Sequence, residues 1–140
     1  MTFRRSLGAF ALLAATVPCV AVAHHSFSAF DRSESAKRTV QGTVKAFELI
    51  NPHGWLKLVV AEPGGGTALW SFELSSATQL QKQGWTPTSV QPGEKVAITY
   101  FPLRFGSYGG QLYAVQFANG RRLVGTAEPD RGYPKPAGGA

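Results

Sequence analysis

One cysteine, one methionine and three histidines among 140 residues leave little material for sulfur or imidazole chemistry. A lone Cys19 excludes an internal disulfide and any paired Cys-x-x-Cys metal site. Carboxylates are scarce too: the eight Asp and Glu include no pair placed as glycoside hydrolysis requires. No Gly-x-Ser-x-Gly elbow exists, because Gly106-Ser107-Tyr108-Gly109 lacks the spacing. No helix pattern follows Gly64-Gly65-Gly66, which therefore reads as a hairpin turn and not as a phosphate loop. From Arg32 to Lys135 basic residues never run beyond the pairs Lys37-Arg38 and Arg121-Arg122, unlike a nucleic-acid-binding arm. The length leaves no room for a separate catalytic domain, and 16 Gly with 9 Pro exclude a coiled coil. These absences favour a binding module over an enzyme.

The first 23 residues have the three-part layout of a secretory signal: Arg4 and Arg5, an apolar run from Leu7 to Val17, and Pro18 before Ala21-Val22-Ala23. The run is short for a membrane span, and no later segment approaches the roughly 20 apolar residues a spanning helix needs. Cys19 follows Thr16-Val17-Pro18, not the Leu and small residues of a lipid-attachment box. The expected product is a secreted or periplasmic chain that begins at His24 and carries no cysteine. Arg4 and Arg5 leave with the signal, so the exported chain is only mildly basic.

Alternation of apolar residues predicts an all-β domain with one short helix. Thr39 to Ile50 reads as a long first strand whose apolar phase moves from Val40, Gly42, Val44 and Ala46 to Phe47 and Leu49, the mark of a bulge or bend. Asn51-Pro52-His53-Gly54 fits a type I turn. Trp55 to Glu62 and a strand presenting Trp70, Phe72 and Leu74 complete a meander across the Pro63 to Gly66 turn. Ser76 as N-cap, Gln79 three residues on and Gly84 as stop predict a helix over 77–83. Further strands are expected at 94–101, 111–117 and, after Asn119-Gly120, 121–124. Three strands, a short helix and two or more strands is the order of a five- or six-stranded oligonucleotide/oligosaccharide-binding (OB) barrel. An immunoglobulin-like sandwich is second, weakened by the helix. The expected division is a signal at 1–23, an arm at 24–36, the OB-like barrel at 37–124, and a disordered tail at 125–140 rich in Pro, Gly and charge.

The histidines fall in two places, His24-His25 at the expected new terminus and His53 at the first hairpin tip. A free α-amine and the Nδ1 of an N-terminal histidine can chelate one ion together, and nitrogen ligands favour Cu(II), with Zn(II) weaker. His53 is within reach as a further imidazole, and Asp31 or Glu73 could add a ligand or orient one. The plainer reading leaves His53 as a turn residue and His24-His25 as a solvated end. A different ligand set follows from the barrel itself, whose loops after strand 1 and between strands 4 and 5 flank one face. That face would gather His53, Arg104, Phe105 and Tyr108 for a glycan, a small anion or a partner protein. Export makes nucleic acid an improbable partner.

His24-His25-Ser26-Phe27, Phe30-Asp31, Gly42-Thr43-Val44, Asn51-Pro52-His53, Trp70-Ser71-Phe72-Glu73, Gly84-Trp85, Pro92-Gly93 and Asn119-Gly120-Arg121 together resemble a family of small exported bacterial proteins, domain of unknown function 6152. The resemblance implies that the His-His start and the Asn-Pro-His turn are parts of one pattern, and it implies no activity. The terminus alone also resembles the copper brace of periplasmic copper carriers and polysaccharide monooxygenases, which are built on immunoglobulin-like sandwiches.

Overall fold

The computed structural model describes residues 29–125. The signal segment 1–23, His24, His25 and the tail from 126 onward lie outside the described residues. After a 3-10 turn at Glu34–Ala36 come β1 (Arg38–Glu48), β2 (Trp55–Ala61), β3 (Thr67–Glu73), α1 (Ala77–Lys82), β4 (Lys95–Pro102), β5 (Gly109–Phe117) and β6 (Arg122–Val124). The sheet order is β3-β2-β1-β4-β5-β6, and a parallel pairing of β3 with β5 closes the first five strands into a barrel. This is an OB-like barrel with one added strand, and the parallel seam excludes the immunoglobulin-like alternative.

β1 serves both halves of the sheet because it bends. Arg38 to Thr43 pair with β4, and the register with β2 slips between Val44 and Ala46, where the apolar phase changes. Gly42 sits at the crossover, where a Cβ would meet the Val59 carbonyl at 2.6 Å. At the seam, a Cβ on Gly109 would collide with the Ser71 backbone, and one on Gly110 with that of Phe101. The two glycines are what let β5 lie against β3 and β4 at once.

Inward side chains of every barrel strand meet in one core around Leu56, Leu58, Phe72, Ile98, Leu112 and Val115. α1 contributes Leu80, and the turn after it contributes Trp85, whose indole donates to the Val124 carbonyl at 2.7 Å. The helix starts where expected, with Ser76 Oγ accepting from the Gln79 N–H, and Gly84 ends it at φ +89°. No helix among the described residues is long and apolar enough to cross a membrane.

Two expectations need correction. Asn51 to Gly54 does not close as the hydrogen-bonded turn expected: the chain only bends at Asn51 and Pro52, and the Gly54 N–H donates to the Ser75 carbonyl instead of back to Asn51. Gly125, assigned by composition to the tail, belongs to the barrel. Its N–H donates to the Tyr113 carbonyl and its carbonyl accepts from Ser75, so it extends the pairing of β6.

Candidate functional site at the His53 end of the barrel

The connection between β1 and β2 is held from several sides. Gly54 exchanges backbone hydrogen bonds with Ser75 and Leu74, the Ile50 carbonyl accepts from Ala77, and Asn51 Oδ1 accepts from the Thr78 N–H at 3.4 Å. A Cβ on Gly54 would meet the Glu48 carbonyl at 3.1 Å. The loop is thereby pinned to the start of α1, which fixes the backbone that carries His53.

Register then selects the partner of His53. Trp55 lies opposite Glu73 in the β2–β3 ladder, so the loop just before Trp55 overhangs the end of β3. His53 Nδ1 stands 3.0 Å from Glu73 Oε1. The Glu73 side chain is only 13% exposed, whereas that of His53 is 36% exposed. With Nδ1–H donated to the carboxylate, the neutral imidazole keeps its lone pair on Nε2, the tautomer that lets Nε2 ligate a metal.

The other sequence candidates are spread around the same end. Asp31 accepts from the Ser33 N–H at 3.1 Å and from its hydroxyl at 2.9 Å, and these bonds, with Arg104 nearby, hold its carboxyl below the usual range. It serves a turn within the arm. Arg104, Phe105 and Tyr108 form the β4–β5 loop, where Phe105 is 91% exposed. Tyr108 takes a left-handed φ of 64°, stacks edge-on against Trp70 at 5.7 Å, and accepts from the Ser71 N–H through its carbonyl. Both loops therefore bear on β3, at Glu73 and at Ser71, about 7 Å apart along the strand. Gln111, which the sequence reading passed over, sits on the same face, opposite Glu73 in β5. Among the described residues there is no group of three His, Cys, Asp or Glu side chains that could hold a metal ion.

The first described residues lie nearby. Phe30 pairs with Leu103, the Ala29 carbonyl accepts from Arg104, and the Asp31 N–H donates to Pro102. These contacts bring the described chain's start to the barrel end where β4 finishes and β5 begins, which is also where β3 finishes beside His53.

A sequence profile described as a family of unknown function (DUF6152) matches residues 11–113. The chain belongs to that family. The DUF6152 match takes in both histidine positions, the arm, the first four strands and α1, and it reaches into β5. No curated protein and no solved structure matched the chain.

Proposed function

We propose that this protein is an exported, non-catalytic metal-binding module. Cleavage after Ala23 would leave His24 first, and its α-amine and imidazole, with His53 and with His25 assisting, would bind one Cu(II) or, less tightly, Zn(II). The single observation that carries this reading is the Glu73 carboxylate on His53 Nδ1, because a carboxylate behind an imidazole fixes its tautomer and raises its basicity toward a metal. Reach is compatible with it. The six residues from His24 to Phe30 can extend about 20 Å, and the three strand steps from the arm across β4 and β5 to β3 amount to roughly 14 Å.

Competitive copper titration of the chain starting at His24, after intact mass has verified that start, tests the proposal. His24→Ala, His53→Ala and an added N-terminal Gly should each weaken binding. Equal affinity in all four proteins overturns it. Affinity should also fall with pH, since ligands must shed protons before they coordinate.

A second reading is supported by Phe105, whose 91% exposure leaves a large ring in water beside Arg104 and Tyr108. On this reading, the β4–β5 loop binds a glycan, a small anion or a partner protein. Titration with envelope glycans should then depend on Arg104 and Tyr108 and be indifferent to a chelator, the opposite of the metal reading.

A further inference from the structure

A groove of about 540 Å³ lies away from His53, at the far end of β2, where β1 passes from one half of the sheet to the other. Its volume falls in the range of small-ligand sites, roughly 300–1,000 Å³. Register puts its side chains on one face. Val59, Thr43 and Lys95 stand in a row across β2, β1 and β4, and Gln41 opposite Ala97 forms the next row. Val96 and Ile98 alternate with these positions on β4 and are buried, so the groove is on the solvent face. The lining is of two kinds. Val59, Ala61 and Ala97 are small and apolar, while Gln41, Thr43, Thr67 and Lys95 supply an amide, two hydroxyls and an ammonium.

Lys95 gives the groove its charge. Among the described residues no carboxylate lines it, and that of the neighbouring Glu94 is turned to the Gln91 N–H at 2.7 Å. An exposed ammonium alone holds an anion weakly, because water and salt screen it, so affinity has to come from the groups around it. Those groups suit a hydroxylated ligand. An acyl chain gains its stability from apolar area removed from water, which an open groove with a polar lining does not provide. Phosphate is favoured at helix N-termini, and no described helix reaches this lining. A pyranose ring presents an apolar C–H face and a rim of hydroxyls, and a uronic acid adds a single carboxylate. We propose that the groove binds a uronic acid unit of an acidic saccharide. Its carboxylate meets the Lys95 ammonium, its hydroxyls meet Gln41, Thr43 and Thr67, and its C–H face lies on Val59 and Ala97. The site shares no residue with the His53–Glu73 pair or the β4–β5 loop and is independent of both readings above.

Amide NMR titration of the chain starting at His24, with chelator present to keep copper out, tests the proposal. D-glucuronate should shift the amides of Gln41, Thr43, Lys95 and Ala97. D-glucose should bind there roughly tenfold more weakly, the low end of what a hydrogen bond to a charged group contributes. Lys95→Met should erase the preference for the acid and leave glucose binding as it was. Ala97→Leu fills the groove without touching the charge and should weaken both sugars, with unchanged amide positions in the rest of β1 to β5 verifying its fold. Acetate that shifts the same amides as strongly as glucuronate reduces the groove to a surface ammonium and overturns the proposal. Glucuronate shifts confined to Arg104 to Tyr108 overturn it too, and place the sugar on the loop of the second reading. Absence of any shift in the groove, or shifts that survive both substitutions, does the same.

Discussion

A histidine in a loop is ordinarily solvated, and what distinguishes His53 is the carboxylate 3.0 Å behind its Nδ1. Both residues can be picked out of the sequence, His53 from its turn and Glu73 from strand alternation. Their pairing cannot, because it depends on the register that sets Trp55 opposite Glu73. Gln111 is harder still. Alternation assigns it to an outward face, and nothing in the sequence shows that this face is buried there. Glu73→Gln keeps an acceptor for Nδ1–H and removes the charge, so copper affinity should fall by about 10- to 100-fold, the usual range for a ligand's supporting partner. Thermal stability should change by less than about 1 kcal/mol, since His53 is more than a third exposed and the pair is screened by solvent. Calorimetry of this variant with and without copper checks both halves.

At the scale of elements, the bulge in β1, the Ser76 cap and the glycine stops are local features, and each is legible where it falls in the sequence. Long-range hydrogen bonds are not. The loop at Asn51 has the composition of a type I turn, yet the Gly54 N–H finds the Ser75 carbonyl, a partner supplied by the end of the β3 hairpin. Gly125 likewise sits in a stretch that composition assigns to the tail, and its bonds to Tyr113 and Ser75 are tertiary. The seam glycines give the sharpest prediction at this scale. Gly110→Ala sets a Cβ against the Phe101 backbone, which a flexible side chain cannot relieve, and should destabilise the barrel by about 1–3 kcal/mol or prevent its closure. Ser76→Ala removes one hydrogen bond from a six-residue helix and should cost about 1 kcal/mol. Urea unfolding of the two variants should rank them in that order.

For the whole molecule, element order alone leads to the OB barrel, but closure rests on a parallel contact between β3 and β5 that no local pattern encodes. The closed barrel buries Tyr100, and burial, opposed by Arg38, pushes its hydroxyl above the ordinary value of 10.0. A folded-state pKa raised in this way contributes stability that is complete below the ordinary value and is lost as pH rises through the higher one. Alkaline unfolding monitored by circular dichroism should therefore steepen above about pH 10, and Tyr100→Phe should flatten that limb. The barrel's role in the proposed chemistry is to hold one imidazole with Nδ1 engaged by Glu73, at the end where the described chain starts. The most direct test is 15N NMR of the His53 ring during Zn(II) titration of the chain starting at His24. The account predicts that Nε2 shifts on coordination while Nδ1 keeps its proton and its bond to Glu73. A shift at Nδ1, or a His53 ring indifferent to the metal, would contradict it.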